Sequence, residues 1–315
     1  LKIIQQIAIL IGVGVLPHLQ GMIGCIGENI EDEQPKVRTM AALAVAALAE
    51  SCTPHGIESF EVVLQSLWKG LKNHRGKALA AFIKAVGYVV PLMDKEYASF
   101  YSKEVLNVLV REFSTPDEEM KKILLKVLKQ LCQIEGVSVD QLKERVLPDF
   151  FSHFWVRRMA LDRRNYRAVI DCTVQLADRV GSGLIIGHLI DHGLRDESES
   201  FRKMVLECVR DVVLAHGTNG VAPGQQEELL MDGLMYCFQE ATTDDSITID
   251  AFSTVLKALG RRSKLYLTLI CNTILWRVSN KSSLVRMLAM DLIGKVAPLL
   301  DLCEEHKLLS HMSTV

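Results

Sequence analysis

Residues 32–52 read DEQPKVRTMAALAVAALAESC: a short polar turn, an apolar residue, an arginine, then a long apolar run. Met40, Leu43, Ala44, Ala47 and Leu48 recur in steps of three and four, which predicts a helix over 36–52. Pro54 follows its end. The same mark returns as Tyr166-Arg167, Phe201-Arg202 and Val285-Arg286. Weaker copies stand at Met120-Lys121 and Ile247-Thr248, and a variant runs through Arg75-Gly76-Lys77. Successive marks lie about 35 to 46 residues apart, the period of stacked two-helix repeats. That spacing predicts an all-α fold, an α-solenoid (superhelix) of HEAT repeats. Such arrays mostly hold other molecules on a long surface, so the spacing argues against an enzyme.

Each repeat pairs an outer A helix with an inner B helix. The expected A helices are 16–30, 57–72, 98–112, 139–157, 184–194, 225–239 and 262–278. The expected B helices are 36–52, 75–92, 117–133, 163–181, 199–216, 245–260 and 283–300. Residues 1–12 read as the B helix of a preceding repeat. Asp117 and Glu118 open a B helix after Pro116, where carboxylates meet the positive helix end. Gly181, Gly217 and Gly260 follow B-helix ends, as C-cap glycines do. No linker divides the chain, so residues 1–315 form one array: seven A–B pairs, a leading half-repeat and a trailing stub. Polar capping repeats are missing at both ends, which marks a segment of a longer solenoid.

Composition agrees. Hydrophobic residues make up 49% of the chain and aromatics 6%, which suits closely packed Ala-, Leu-, Val- and Ile-rich helices. The net charge of −2 argues against general adhesion to nucleic acid but permits local basic patches. The eight cysteines lie far apart without a CxxC. Most fall inside apolar runs, as Cys132, Cys208, Cys237 and Cys271 do, which points to a reduced compartment rather than disulfides or zinc. The longest purely apolar run, Ile7 to Leu16, is too short to span a bilayer.

Charge is segregated. From Glu61 to Asp94 no acidic residue intervenes, while Lys69, Lys72, Arg75, Lys77 and Lys84 fall there. From Asp250 to Asp291 there is again none, against Lys257, Arg261, Arg262, Lys264, Arg277, Lys281 and Arg286. A third group, Arg157, Arg158, Arg163, Arg164 and Arg167, has Phe154, Trp155 and Tyr166 interleaved. One reading is a solvated mosaic; the sharper one is a track for a phosphate backbone along the turns and B-helix starts, where free N–H groups favour anions. The arginine marks also have a structural role. Asp32 precedes Arg38 by six residues, Asp196 precedes Arg202 by six, and Asn280 precedes Arg286 by six. This spacing lets a turn Asp or Asn bond an arginine of its own or the adjacent repeat, forming a ladder.

Catalytic motifs fail on inspection. Gly70 to Lys77 departs from the phosphate-loop spacing, and Ala78 stands where Ser or Thr would bind magnesium. His188 and His192 share a helix face but lack a third ligand. Gly181-Ser182-Gly183 is not a nucleophile elbow. Trp68, Trp155 and Trp276, near A-helix ends, read as packing residues. No cofactor is expected.

Longer words are more specific. LWKGLKNHRGKALAAFIKAVGYVVPLMD (67–94), REFSTPDEEMKK (111–122), RMALDRRNYR (158–167) and FRKMV (201–205) closely resemble the large HEAT-repeat subunit of splicing factor 3b. So do HGIESF (55–60), FQEATTDDS (238–246) and ILWRVSNKS (274–282). The resemblance covers the chain in order and matches the family's central repeats. It implies a nuclear scaffold of the U2 small nuclear ribonucleoprotein that encloses the duplex of its RNA with the intron branch site. This segment would guide pre-mRNA intron just downstream, among other splicing factor 3b subunits and away from any membrane. The positions matching the family's RNA-proximal surface are Lys2, Lys36, Arg38, Arg75 and Lys77, while the adenosine pocket is implied to lie outside the segment. Pro35, Leu265 and the glycine-rich 220–224 loop depart from the family pattern without touching those positions. The rival expectation is a protein–protein scaffold of the importin or phosphatase-scaffold type.

Overall fold

The computed structural model describes residues 1–241 and 246–313, and no strand occurs among them. Residues 242–245, inside FQEATTDDS and at the start of the expected helix 245–260, lie outside the described residues, as do 314 and 315. The fold is an all-α solenoid. Its helices are α1 (Lys2–Ile11), α2 (Leu19–Ile30), α3 (Pro35–Cys52), α4 (Ile57–Asn73), α5 (Gly76–Val89), α6 (Lys95–Glu112), α7 (Glu118–Cys132), α8 (Val139–Gln141) and α9 (Leu147–Phe154). They continue as α10 (Tyr166–Val180), α11 (Ser182–Gly193), α12 (Glu199–His216), α13 (Gln225–Glu240), α14 (Ile247–Leu259), α15 (Lys264–Val278), α16 (Ser283–Leu302) and α17 (His306–Ser313). Two compact units emerge: Leu1–Phe154 with Arg167–Gln175, and Trp155–Tyr166 with Leu176–Val315.

In the first unit the B helices α1, α3, α5 and α7 pack side by side, each on the next, and α2 packs on α4 in the A layer. The B helices run parallel. Ser51 near the end of α3 donates to the Ala8 carbonyl near the end of α1 at 2.8 Å. Tyr88 near the end of α5 donates to Glu50 of α3 at 2.8 Å. Helix α3 is buried on several sides by α1, α2, α5 and the 3-10 segment at residues 12–18, so Ala41, Ala42, Ala44 and Val45 are all inaccessible. The stripe read from sequence is therefore too narrow: alanine lets neighbouring helices approach all round, while Leu43 stays half-exposed. Asp94 and Asp117 cap α6 and α7, each side chain accepting from two backbone N–H groups; such a cap contributes about 1 kcal/mol. Asp94 also explains why α6 begins at Lys95 rather than at 98.

In the second unit α12, α14 and α16 form the B row, with α11, α13 and α15 as their A partners. Gly181, Gly217 and Gly260 all take positive φ at B-helix ends.

Two A helices depart from the sequence expectation. Helix 16–30 starts later, because residues 12–18 form a 3-10 segment containing Pro17. The A helix 139–157 is interrupted by a π turn, Leu142–Val146, and ends at Phe154. The trailing stub is helix α17. By length and composition the run Lys2–Ile30 is also long and apolar enough to cross a membrane, which counting consecutive apolar residues misses. In the fold Gly12 breaks it at φ +59°, and the pieces pack on α3.

Candidate nucleic-acid interface

Three turns share one construction. In DEQPKVR (32–38), the Arg38 Nη1 donates to the carbonyls of Asp32 at 2.6 Å and Glu33 at 2.9 Å. In DESESFR (196–202), Arg202 donates to Asp196 at 2.7 Å and Glu197 at 3.1 Å. In NKSSLVR (280–286), Arg286 donates to Asn280 and Lys281, both at 2.9 Å. The turn carboxylate or amide does a separate job. Asp32 accepts the Gln34 N–H at 2.7 Å, Asp196 the Ser198 N–H at 2.7 Å, and Asn280 the Ser282 N–H at 2.9 Å. The arginine therefore clamps backbone oxygens of its own turn, and the Asp or Asn side chain closes the turn from inside. Each arginine thus bonds the Asp or Asn six residues before it, but through that residue's main-chain oxygen, while Arg157, one period away, reaches the Asp196 side chain.

The first unit places basic residues at the starts of three adjacent B helices. Lys2, Lys36 and Lys77 open α1, α3 and α5, all exposed and without an ion pair among the described residues. No acidic residue occupies the first turn of any of these helices. Because the three helices are parallel neighbours, these starts lie at the same end, about 10 Å apart from one helix to the next. Free N–H groups, the helix dipole and the ammonium groups act in the same direction there. Gly76 lies between Arg75 and Lys77 at φ +58°, a conformation that glycine adopts without steric cost.

Arg38 and Arg75 differ from the lysines. Arg38 is half-buried and committed to its turn. Arg75 is exposed, but its Nη1 donates to Lys72 O at 3.1 Å and His74 O at 2.7 Å. Both can present a remaining guanidinium edge, whereas the lysines can present their whole charge. Burial, and then the charge of Arg38, hold His74 below the ordinary histidine range.

The basic residues of the second unit are more often engaged. Arg277 is buried and donates to the carbonyls of Gln239 and Ala241, with its guanidinium 4.8 Å from the Phe238 ring centre. Arg262 pairs with buried Glu227 at 3.0 Å, and Lys264 with Glu305 at 3.1 Å. Arg157 pairs with Asp196 at 3.0 Å, and Arg195 pairs with Asp232. The charge density between Asp250 and Asp291 is thus spent partly inside the protein. Arg163, Arg164, Arg261 and Lys281 are exposed and make no such pair among the described residues.

The remaining candidates differ in burial. All cysteines except Cys25 are buried, and burial pushes the Cys237 thiol up to about 12 and the Cys271 thiol to about 11. The His188 and His192 ring centres are 6.0 Å apart. No group of three potential metal ligands occurs among the described residues. Trp155 is buried and Trp68 stacks on Tyr101 at 4.7 Å, but Trp276 is 76% exposed. Trp276 is thus no packing residue, because its helix turns that face away from the core.

These features define a class: an α-solenoid segment carrying a ledge of free lysines at aligned helix starts. Known proteins narrow it. The chain is 48% identical over 314 residues to U2 snRNP component prp10 of Schizosaccharomyces pombe, covering 100% of this chain and 26% of that protein. It is 42% identical over 315 residues to U2 snRNP component HSH155 of Saccharomyces cerevisiae, covering 100% of this chain and 32% of that protein. The chain belongs to the family of these components, the large HEAT-repeat subunit of splicing factor 3b, and matches its central repeats. A crystal structure of an engineered protein shares the fold at a TM-score of 0.51 and 12% identity, over 98% of this chain and 78% of that one. No protein-family model matches the chain.

Proposed function

We propose that residues 1–315 are one continuous stretch of a nuclear, non-enzymatic scaffold of the U2 snRNP that supports branch-site recognition in pre-mRNA splicing. In this reading Lys2, Lys36 and Lys77 hold the phosphates of intron RNA beside the duplex of U2 small nuclear RNA with the branch site. Arg38 and Arg75 fix the turns from which the lysines project. The observation that carries the reading is the row of exposed, unpaired lysines on three parallel helix starts that lack first-turn carboxylates. Relatives named as U2 snRNP components support it. Other splicing factor 3b subunits are the expected protein partners.

The test is competition between two branch sites in a splicing extract whose endogenous subunit is replaced by one carrying Lys36→Glu or Lys77→Glu. The expected result is a changed ratio of site use with helicity intact. Unchanged site choice and unchanged RNA crosslinking for both variants would overturn the RNA reading.

One observation favours a protein-binding role for the second unit. On α15, Leu265, Leu269 and Trp276 are 83%, 60% and 76% exposed, a stripe of the kind that protein partners cover. The importin-like or phosphatase-scaffold alternative would rest on that face rather than on the lysines.

A further inference from the structure

The ledge of lysines ends at α7. Its first turn holds Glu118 and Glu119, and Asp117 already accepts the N–H groups of Glu119 and Met120. A phosphate arriving there meets carboxylates and donors already in use. A groove of about 580 Å³ opens across the faces of the B helices, and Asp117 and Glu119 of this block form the acidic part of its rim. Gln5 and Thr39 line one side, and Lys122 and Lys126 of α7 line the other. Lys77, the last lysine of the ledge, lines it too, so ledge and groove are continuous. Ala80 and Ala81 belong to the lining and keep α5 low between its neighbours.

The charge in this groove is uneven. Glu50 accepts from Tyr88 at 2.8 Å and from Lys126 at 3.1 Å, and the Lys126 ammonium lies 5.0 Å from the Tyr88 ring centre. Lys126 is therefore paired and held in place. Lys84 and Lys122 make no ion pair among the described residues. Burial lowers the proton affinity of Lys84; Glu50 opposes this, and Lys126 and Lys122 reinforce it. Cations crowded in this way are stabilised by an incoming polyanion.

We propose that this groove takes the next phosphates of the same RNA strand, turned at α7 from the helix starts onto the B-helix faces by the Asp117–Glu119 block, with Lys84 and Lys122 as the contacts and Lys126 as a held flank. The proposal rests on the RNA reading of the ledge. Continuity through Lys77 favours a strand long enough to cross both ledge and groove over a short acidic peptide confined to the groove.

The test uses the 315-residue chain and a labelled single-stranded RNA of mixed sequence, with affinity followed against salt. Lys122 is exposed, so Lys122→Glu leaves the fold intact; Lys84→Gln is the second variant, with helicity and melting recorded for both. Each lost phosphate contact lowers the log–log salt slope by about 0.7, which is about a fivefold weakening at 0.1 M salt. Lys36→Glu is measured alongside. Loss of slope in all three variants supports the groove. Loss in Lys36→Glu with no change in Lys122→Glu and Lys84→Gln sinks the groove and leaves the ledge standing. No change in any of them sinks both. An oligoglutamate peptide that binds the chain, loses binding in Lys122→Glu and fails to compete with RNA would assign the groove to an acidic peptide and overturn the proposal.

Discussion

The turns DEQPKVR (32–38) and DESESFR (196–202) are built alike and used differently. Both begin with an aspartate that closes the turn and end with an arginine that clamps two carbonyls. Between these fixed points the first turn carries Pro35 and Lys36, and the second carries Glu199 and Ser200. Glu199 then pairs with Lys203 at 3.2 Å, cancelling charge at the start of α12. The arginine mark is therefore scaffolding common to both units, and the proposed binding role falls to the residue two places before it. A motif that announces the repeat need not be the motif that does the repeat's work.

That comparison is most exposed at the arginines. Arg202 is 7% accessible and faces Tyr236 as well as its two carbonyls. Arg202→Ala should cost about 3 kcal/mol in chemical denaturation, since a buried side chain loses its packing and both of its hydrogen bonds. Arg38→Ala should cost less, because Arg38 is only half-buried and water can replace it. Equal costs would show that accessibility does not separate the two turns.

A smaller energy, with a sharper meaning, separates the variable positions. Lys36→Glu should weaken RNA binding by about fivefold or more at 0.1 M salt, and Ser200→Glu by less than about twofold. Both should leave stability within about 0.5 kcal/mol of the parent, as exposed substitutions usually do. The weakening should be similar across RNA sequences, since phosphate contacts position without reading bases.

The smallest effect is a titration. His74 lies against Phe82, with ring centres 4.8 Å apart, and its folded value is depressed by burial first and Arg38 second. A group depressed in this way contributes stability above its unfolded value, about 6.5, and loses it as pH falls through the folded value. In Arg38→Met the NMR titration of His74 should move upward while staying below the ordinary range. A downward shift would contradict the assigned charge effect.

Much of the fold is legible in the sequence because each repeat announces its own ends. The polar turn and arginine mark helix starts, and Pro54, Gly181, Gly217 and Gly260 mark stops. The π turn at Leu142–Val146 and the 3-10 segment at 12–18 are not legible in this way, since they arise from how neighbouring helices pack and leave no distinctive residue pattern. The site is legible less directly. Lys36 and Lys77 look no different in sequence from Arg277 or Arg262, and only the fold shows which charges are spent. The clue lies at the repeat distance: Arg157–Asp196 and Arg277–Gln239 are separated by 39 and 38 residues, and Tyr88–Glu50 by 38. A cation one period away from a buried acceptor is a candidate for internal use. Trp276 fails the same kind of inference, because helix-end position says nothing about which face an outer helix turns to solvent.

The central claim is that the free cations of the first unit hold RNA while most of those in the second hold protein. Photocrosslinking of single-stranded RNA to the chain, with the attached peptides mapped by mass spectrometry, tests it most directly. The account predicts crosslinks concentrated at residues 35–39 and 75–84, and their loss in Lys36→Glu with Lys77→Glu. Crosslinks concentrated at 196–202 or 261–286 instead, unchanged by those substitutions, would contradict it.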